Sequence, residues 1–586
     1  MAAAYLIDGA PAGREAFYAA ACDPAQSIVV EACAGAGKTW MLVSRILRAL
    51  LDGAEPQHIL AITFTRKAAG EMRGRLNEWL AEFADNRSTE GQRVQALVDR
   101  GMSHEQARYA QAKLGRLQAQ LLDSGRAVQV RTFHAWFAQL LRMAPLEVLV
   151  AHGLHPGVGI LEDESELGPE LFRRFQRRVA ADAELRASYQ ALVARHGRST
   201  LGRWLDAAWK RRAEIARADA AGTLAGAIPP PPAPALAPLQ SSAWRQRVSE
   251  LAQRLGAVDK TDHTTAANRL VDALASADSR LAFDLAWAAV HTLAGELRKL
   301  KPSPAGFAEL SGELKAMDLD LRQQDAHEDH GHMVALSRLL IAEFTAQKRE
   351  RGLVDMPDLE QLALQLLGEG EWAGWIQERL DARLRHVLID EFQDTSPLQW
   401  HALQPWLASY AGAGGGMSGR APLSVFIVGD PKQSIYRFRR AEPRVFAAAS
   451  AFIAEALGGR RLACDHTRRN APAVLSALNA VFASAQADDA YAGFRPHTTE
   501  VAAPGDGVWA LPREPRPPRA ARRDSDAPPV WRDSLTEPRY EDKQRQTALE
   551  CRHVAAAIAE LLAGGVLRPQ DIQVLARKRS VLAQLS

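Results

Sequence analysis

The sequence predicts an α/β fold built on a parallel sheet, and three observations support that prediction. Five short runs are rich in β-branched and aliphatic residues: SIVVEA, ILAITFT, AVQVRTF, RHVLIDE and LSVFIVGD. Such runs are typical of buried parallel strands, and the helical patterns between them indicate an α/β sheet. A loop of small residues that ends in Gly-Lys-Thr follows the first run. Because ligands of such sheets bind beyond the carboxyl ends of the strands, we expect the functional residues at those ends.

Composition sets the broad class of protein. The chain has 586 residues, 47% hydrophobic and 24% charged, which allows several globular domains. A net charge of +3 does not by itself indicate a nucleic-acid partner. The four cysteines have no zinc-ligand or redox spacing, which favours a reduced intracellular compartment. The start, MAAAYLIDGA, lacks the features of a secretory signal, and no run approaches the ~18 apolar residues of a membrane span. We therefore predict a soluble cytoplasmic protein.

Two stretches interrupt the strand–helix pattern. Residues 146–345 are polar and helix-rich, and they contain AIPPPPAPALAPL (Ala227 to Leu239), which predicts an extended spacer. Residues 495–540 are rich in proline and arginine and predict a loop or linker, whose basic run we interpret as solvated. HEDHGH (His327 to His332) could suggest a metal site, but it has no partner cluster, so we interpret it as an exposed loop.

The loop EACAGAGKT predicts a phosphate-binding site. Its position between a strand and an amphipathic helix favours that interpretation over a chance run of small residues. Gly35 and Gly37 permit a tight turn and a close approach of the backbone. Lys38 would reach the β- and γ-phosphates, and Thr39 would hold Mg²⁺. The backbone amides that would surround the phosphates belong to Ala34, Gly35, Ala36, Gly37 and Lys38.

HVLIDEFQD supplies the carboxylates that a nucleotide site needs. Asp390 and Glu391 follow a hydrophobic run and lie at the predicted end of a strand. One carboxylate would bind the metal and the second would orient or deprotonate the attacking water. Asp390 suits the first role and Glu391 the second. The alternative is a solvated turn, which the phosphate loop upstream makes less consistent with the sequence.

VFIVGDPKQSIYRFRRAEP follows a further strand. Gln433 lies just beyond the strand, where its amide could sense the γ-phosphate. Phe438 and Arg439 are adjacent, and such a pair suits single-stranded nucleic acid because the ring stacks on a base and the arginine binds the backbone. The alternative, that Phe438 and Tyr436 are core aromatics, stays equally open at this point.

Two further strand ends carry candidate DNA contacts. In AITFTRKAAGEM, Thr63 and Phe64 precede a basic helix, where a hydroxyl can contact phosphate and a ring can stack on a base. VRTFHAW repeats the arrangement with Thr132 and His134. By itself, His134 is more often a structural histidine.

Six motifs in order resemble the UvrD/Rep-type superfamily 1 DNA helicases. They are EACAGAGKT, TFTRKAAGEM, RTFHAWF, GLVDMPDLEQL, LIDEFQDTSPLQW and VGDPKQSIYRFRRAEP. The forms of the first and last are similar to the RecB/AddA branch. The resemblance covers residues ~14–480, and six ordered matches are far more specific than one.

The resemblance implies a P-loop, RecA-like motor domain with a parallel sheet, a large helical insertion and the start of a second RecA-like domain. Residues 1–145 would be the first part of the motor domain, 146–345 the insertion, 346–460 the rest of that domain, and 461–586 the beginning of the second. It further implies ATP and Mg²⁺ as ligands, 3′-to-5′ translocation on single-stranded DNA, a role in repair or recombination, and a partner subunit.

The same resemblance assigns roles to single residues. It makes Lys38, Thr39, Asp390, Glu391 and Gln433 the ATP residues and Phe64, His134, Phe438 and Arg439 the DNA-facing ones. In CDHTRRNAPAVLSALNAVF it gives Arg469 to the γ-phosphate, with Arg468 where the family usually has an aromatic residue. Arg14 follows Gly13 near the position of the family's adenine-reading glutamine. DIQVLARKRSVLAQL resembles a strand and helix of the second motor domain, with Arg577 on its motif.

Two hypotheses about activity follow. The first is an ATP-dependent DNA helicase or translocase, here its N-terminal portion, because the family's later motifs and nuclease domain have no counterpart. The second is an ATP- and DNA-binding subunit or truncated remnant that does not unwind DNA. The intact Glu391 favours the first, since binding alone does not require a catalytic carboxylate. An unrelated P-loop ATPase would not explain DEFQD followed by GDPKQSIYRF.

Overall fold

The structure is a computed structural model of the whole chain. It describes residues 4–84, 87–368, 374, 376, 378–380, 384–410, 423–437, 440–502, 507–512, 515, 536, 542–565 and 567–585. The basic run at 513–523 and the adjacent residues Phe438 and Arg439 lie outside the described residues, except for Pro515.

A sheet of eight strands forms the centre of the fold, in the order β2-β1-β10-β3-β9-β8-β4-β5. The six strands from β10 to β5 are parallel, and β1 and β2 add an antiparallel edge. The predicted α/β fold with a mainly parallel sheet is therefore confirmed. Two further pairs, β6 with β7 and β11 with β12, are short and parallel. The strands are β1 Tyr5–Ile7, β2 Ala10–Pro11, β3 Ile28–Ala32, β4 Ile59–Thr63, β5 Gln129–Thr132, β6 Gly159–Ile160, β7 Leu353–Val354, β8 His386–Ile389, β9 Ser424–Gly429, β10 Arg460–Cys464, β11 His466–Thr467 and β12 Thr498–Thr499.

The helices connect these strands and build the rest of the molecule. The first group is α1 Arg14–Ala21, α2 Lys38–Leu51, α3 Arg66–Glu82, α4 Glu90–Asp99, α5 His104–Ser124, α6 Phe133–Met143 and α7 Leu146–Ala151. The second is α8 Gly168–Ala181, α9 Ala183–His196, α10 Arg198–Lys210, α11 Arg212–Ala220, α12 Ser242–Gly256, α13 Thr261–Ala275, α14 Ser279–Val290 and α15 Phe307–Glu350. The third is α16 Met356–Leu367, α17 Pro397–Ala408, α18 Arg444–Ala456, α19 Pro472–Ala487, α20 Asp542–Ala563 and α21 Arg579–Leu582. Within the described parts of the chain, none of these helices combines the length and apolar character needed to cross a lipid bilayer.

Helices cover both faces of the sheet, and each face has its own hydrophobic core. On one face, α1 to α5 pack with alternate residues of the strands, such as Val30 and Phe426. On the other, α6, α16, α17 and α18 pack with the intervening residues, such as Val29 and Ile427. This alternation is what a sheet buried on both sides requires. The two cores hold the carboxyl ends of the parallel strands at one edge, where the polar site residues lie.

Strand β10 extends the sheet beyond the predicted set. It pairs in parallel with β3, from Arg460 opposite Ile28 to Cys464 opposite Ala32. The domain boundary that we predicted at 460/461 therefore falls inside a strand of the first sheet. The strand expected in DIQVLA does not form, and residues 572–576 have no regular structure. A strand needs a partner for its backbone groups, and none of the described strands pairs with that segment.

The long helix α15 organises the helical part of the chain. It has 44 residues, about 66 Å at the usual rise. Its first half packs with α12, α13 and α14 in one core, through residues such as Leu314. Its second half packs with α8, α9 and α10 in another, through residues such as Phe344. The helix continues to Glu350, past the boundary expected at 345, and α7 packs instead in the core of the sheet.

The segment HEDHGH is not a loop, as predicted, but lies inside α15. The histidines find acceptors on neighbouring segments: His327 Nδ1 lies 2.7 Å from the carbonyl of Ile228, and His330 Nε2 lies 2.6 Å from that of Leu224. These contacts help hold the Pro-rich segment against α15, and Ala235 of that segment is buried in a helical core. The segment is therefore docked on the helix, a feature that composition alone does not encode.

A histidine in the sheet predicts a dependence of stability on pH. His386 begins β8, and its Nδ1 lies 2.8 Å from the hydroxyl of Ser424. Burial, aided by the nearby charge of Arg45, lowers the pKa of His386 from 6.5 to about 4. Between these values the unfolded chain binds a proton that the folded chain excludes, so stability is complete above pH 6.5 and falls as the pH drops toward 4.

We expect the unfolding free energy to fall by about 2 kcal/mol more between pH 7.5 and pH 5.0 in the unsubstituted chain than in His386→Gln. Urea unfolding followed by circular dichroism at the two pH values measures this difference. The matched variant is His401→Gln, whose histidine is exposed on α17, and it should keep the unsubstituted behaviour. Equal pH dependence in all three proteins would contradict the prediction.

Candidate functional site

The phosphate loop joins β3 to α2 at the carboxyl edge of the sheet. Its predicted residues run from Ala34 through Gly35 and Ala36 to Gly37, and α2 begins at Lys38. Gly37, at the helix N-cap, has φ +88° and provides no side-chain cap. The first amide groups of α2 are therefore open toward the site. Open amides at a helix N-terminus favour an anion because they donate hydrogen bonds at the positive end of the helix dipole.

Gly35 brings the loop into direct contact with the segment after β10. A Cβ at Gly35, whose φ is +79°, would lie 2.4 Å from Thr467 Oγ1 and 2.7 Å from the Cβ of Arg469. The carbonyl of Gly35 also accepts a hydrogen bond from the amide of Arg468 at 3.0 Å. The structure thus brings Arg469, predicted far along the chain, beside the phosphate loop.

Lys38 and Glu391 meet across the site. Lys38 Nζ lies 3.6 Å from Glu391 Oε2, and the lysine side chain is 10% exposed while the glutamate is 38% exposed. Glu391 adopts φ +50°, a left-handed conformation that is rare for residues with a side chain. Its amide donates to Asp390 Oδ1 at 3.0 Å. The tight turn presents both carboxylates at the end of β8, beside the phosphate loop.

The carboxyl groups here are crowded. Burial and the neighbouring Glu391 raise the pKa of Asp390 to about 7, although Lys38 acts in the opposite direction. The same causes raise the pKa of Asp394 to about 6, and its buried Oδ1 has no hydrogen-bond partner. A further cation would relieve this crowding.

The oxygen ligands fit Mg²⁺. That ion keeps several waters and takes few protein ligands in phosphate sites, and Thr39 and Asp390 supply a hydroxyl and a carboxylate beside the loop. Over the described residues, no three His, Cys, Asp or Glu side chains form a metal cluster. The chain offers a site that would be completed by phosphate oxygens.

Gln433 is held by its neighbours at the end of β9. Its Nε2 donates to Asp430 Oδ2 at 2.6 Å. Gln393 links this group to the catalytic carboxylate candidate, because its Nε2 donates to Glu391 Oε2 at 2.7 Å and its Oε1 accepts from the amide of Asp430 at 2.9 Å. A Cβ at Gly429 would lie 2.5 Å from Gln393 Oε1. The glycine therefore permits the close approach of the two strand ends.

Arg14 and Arg468 lie together at one side of the loop. Arg468 Nε is 3.0 Å from Glu500 Oε1, and its guanidinium lies 5.7 Å from the centre of the Tyr18 ring. Arg14 approaches the same Glu500 at 3.8 Å. This places Arg14 near the phosphate loop through its neighbours, while Arg469 is exposed.

The predicted DNA contacts differ in their surroundings. Phe64 packs against Tyr436 with ring centroids 4.8 Å apart. Thr132 caps α6, where its hydroxyl accepts from the amide of Ala135 at 3.2 Å, and His134 Nε2 lies 3.4 Å from Glu360 Oε1. Thr63 is fully buried, so the DNA contact predicted for its hydroxyl does not fit the structure. The sheet packing that buries Thr63 leaves Phe64, the next residue, partly exposed.

Comparison with known proteins decides the family. The model of the UvrD/REP helicase N-terminal domain matches residues 14–453. The chain belongs to this family. The match spans the phosphate loop, the carboxylates after β8 and Gln433, so the predicted resemblance is confirmed.

Individual relatives carry one name, that of the AddA subunit of an ATP-dependent helicase/nuclease. The chain is 28% identical over 520 residues to the protein of that name from Pelotomaculum thermopropionicum, covering 78% of this chain and 37% of that protein. It is 27% identical over 528 residues to the one from Bacillus cereus, covering 78% and 38%. A shorter match, 36% over 163 residues, is to the one from Exiguobacterium sibiricum, covering 28% and 13%. The chain thus spans little more than a third of the length of the first two relatives.

A basic cleft lies where the helical part meets the sheet part of this family member. It encloses about 840 Å³. Its cationic lining residues are Lys210, Arg211, Arg217, Arg437, Arg440 and Arg444, and its acidic ones are Glu214 and Glu442. Arg440 Nε pairs with Glu214 at 3.0 Å, but the cations exceed the anions. The predicted pair Phe438 and Arg439 falls between two of the lining residues in the chain, Arg437 and Arg440.

Several residues of the site escaped prediction from sequence. They are Gln393, Asp430, Lys432 and Glu31, which connect the predicted residues rather than facing a ligand. Their signal was present in the motifs DEFQD, GDPKQ and EACAGAGKT. The spacing within each motif does not say which side chains meet across neighbouring strands.

Proposed function

We propose that this chain is the ATP-binding motor of a DNA helicase that translocates 3′-to-5′ on single-stranded DNA in the cytoplasm. The observation that carries the proposal is the meeting of Lys38 and Glu391 at 3.6 Å beside an open phosphate loop. A lysine for the phosphates and a carboxylate for water, on neighbouring strand ends, form the core of a phosphoryl-transfer site. Family membership supports the helicase activity, while polarity and strand preference rest on the motif resemblance.

Each predicted residue has a role in this proposal. The amides of Ala34 to Lys38 donate to the phosphates of ATP, and Lys38 neutralises the β- and γ-phosphates. Glu391 accepts a proton from the attacking water, and its hydrogen bond from Gln393 orients it. Gln433 contacts the γ-phosphate and Arg469 adds positive charge to it. Arg14 lies on the side where the base would bind. Thr39 and Asp390 would hold Mg²⁺, which when bound neutralises charge on the β- and γ-phosphate oxygens.

DNA would bind along the same edge of the sheet. Phe64 and Tyr436 offer a ring pair for stacking, and we retain Phe438, Arg439, Thr132 and His134 as candidate contacts. The basic cleft supports a phosphate backbone path, because an excess of cations attracts nucleic acid. The names of the relatives, which include a nuclease and a subunit, support a partner subunit in a helicase–nuclease complex acting in repair or recombination.

The test is ATP hydrolysis by the purified chain with and without single-stranded DNA, beside Glu391→Gln and Lys38→Met. We expect DNA to stimulate hydrolysis and Glu391→Gln to lower the rate at least about 100-fold while ATP still binds, because only the base is lost. Lys38→Met should lose ATP binding itself.

Calorimetric titration with Mg·ATPγS separates the two variants. Hydrolysis that DNA stimulates and Glu391→Gln removes would support the motor. ATP and DNA binding with no hydrolysis above the Glu391→Gln background would contradict it and favour a binding subunit without unwinding activity.

A further inference from the structure

Five charged side chains form a chain of ion pairs behind the phosphate loop. We call it the strand-end ion chain, and its members are Glu31, Lys432, Asp430, Arg495 and Asp465. Lys432 Nζ lies 3.1 Å from Asp430 Oδ1 and 3.3 Å from Glu31 Oε1. Arg495 then joins Glu31, at 2.8 Å, to Asp465, at 2.5 Å. Glu31, Asp430 and Asp465 lie at or directly after the ends of β3, β9 and β10, so the ion chain spans three adjacent strands.

The centre of this ion chain is shielded from water. The side chains of Asp430 and Asp465 are 2% exposed and that of Lys432 is 7% exposed. Burial acts to lower the pKa of Lys432, but Asp430 and Glu31 outweigh it and the pKa is raised. Lys432 therefore carries a full charge between two anions. Buried ion pairs of this kind are weak evidence for stability, because desolvation offsets their attraction.

The ion chain touches the residues that would act on ATP. Asp430, which Lys432 holds, accepts from Gln433 Nε2 at 2.6 Å. The amide of Asp430 donates to Gln393 Oε1, and Gln393 in turn donates to Glu391. At the other end, Glu31 directly precedes the last residue of β3, after which the phosphate loop begins. Lys432 is thus one contact away from Asp430 and two from Gln433.

We propose that Lys432 is a positioning residue that holds Asp430 so that its carboxylate fixes the Gln433 amide in the orientation that contacts a γ-phosphate. The inference deepens the proposed function and rests on it. Without Lys432, Asp430 would lose the cation that holds its carboxylate, and Gln433 would lose a fixed partner. The γ-phosphate would then be recognised less well, whereas the α- and β-phosphates would still meet the loop amides and Lys38.

The measurement is the ratio of the dissociation constants for Mg·ADP and Mg·ATPγS, obtained by calorimetry on the whole chain. We expect the unsubstituted chain to prefer Mg·ATPγS. In Lys432→Met this preference should fall about tenfold, with Mg·ADP affinity changed less than about threefold. Lys432→Arg should restore much of the preference because it keeps the charge. A purely structural ion pair would lower the melting temperature and would affect both nucleotides equally.

Two further variants keep the test decisive. Glu31→Gln removes one neighbour of Lys432 at a partly exposed position and should lower the preference in the same direction, even if Lys432→Met does not fold. Lys348→Met is the matched control, because Lys348 is 4% exposed between two aspartates of the helical part, and it should leave the ratio unchanged.

The outcomes separate the two claims. Failure of the unsubstituted chain to bind Mg·ATPγS would overturn the proposed function and this inference with it. Normal binding with an unchanged ratio in both Lys432→Met and Glu31→Gln, or with no preference in the unsubstituted chain, would overturn the inference alone.

Discussion

Gly35→Ala is expected to weaken binding of Mg·ATP at least about 30-fold. The added Cβ would lie 2.4 Å from Thr467 Oγ1 and 2.7 Å from the Cβ of Arg469, and Gly35 has φ +79°. Neither obstacle is the tip of a long flexible side chain, so the loop itself must move. A displaced loop turns its amides away from the phosphates and moves away from Arg469, so several charge-assisted hydrogen bonds weaken together.

Calorimetric titration with Mg·ATPγS measures this loss. The matched control is Gly202→Ala in α10, where an added Cβ meets nothing within 4 Å. That variant should bind nucleotide normally and gain stability, roughly 0.5–1 kcal/mol, because alanine is a better helix former than glycine. Stability should instead fall in Gly35→Ala, since alanine is strained at positive φ. Nucleotide affinity within threefold of the unsubstituted value, about 0.6 kcal/mol, would contradict the prediction.

The central strands and the phosphate loop were predictable because their signals are local. A run such as ILAIT, fully buried in β4, shows its environment in five consecutive letters. The order strand, small-residue loop, helix likewise lies within 25 residues in SIVVEACAGAGKTWMLVSRILRALL. The carboxyl ends of parallel strands then bring Lys38 and Glu391 together without any knowledge of side-chain positions.

Strand β10 was missed because its signal is not local. RRLAC is short and begins with two arginines that are exposed in the structure. What makes it a strand is its pairing with β3, more than 400 residues earlier in the chain. Tertiary pairing decides β structure more than intrinsic preference does. The same reason explains why DIQVLA, with no described partner strand, is irregular although its residues favour a strand.

Side-chain networks within the site were equally hidden. Gln393, Asp430 and Lys432 stand in motifs that we recognised, but their roles depend on which atoms meet between β8, β9 and β3. Burial also limited the prediction, because Thr63 and Phe64 are neighbours in the chain while only Phe64 reaches the surface. For HEDHGH, the polar composition suggested a loop, whereas hydrogen bonds to Leu224 and Ile228 and the two cores of α15 support a continuous helix.

A buried carboxylate joins the helical part to the sheet part, and its neutralisation is expected to cost about 3–5 kcal/mol of unfolding free energy. Asp355 is fully buried, and its Oδ2 accepts from Lys348 Nζ at 2.6 Å and from Arg212 Nη2 at 2.9 Å. These partners come from α15 and α11, while Asp355 caps α16. Despite burial, the two cations lower the pKa of Asp355. In Asp355→Asn both cations would stay buried with less opposing charge.

Asparagine isolates the charge because it is nearly as good an N-cap as aspartate. The cap itself, in which Asp355 Oδ1 accepts from the amide of Asp358 at 2.9 Å, should persist. Urea unfolding followed by circular dichroism measures the free energy. The control is Asp219→Asn, whose carboxylate also binds an arginine across two helices, Arg338, but at the surface. There the loss should stay below about 1 kcal/mol.

A second substitution tests the cause. If the cost of Asp355→Asn comes from cations left without their counter-charge, removing one of them should recover part of it, and Asp355→Asn with Lys348→Met should be more stable than the sum of the single losses predicts. The recovery expected is at least about 1 kcal/mol. Strict additivity would show that Asp355 acts through its shape and its cap, and the ion pairs with Arg212 and Lys348 would then not be what secures the helical part to the sheet.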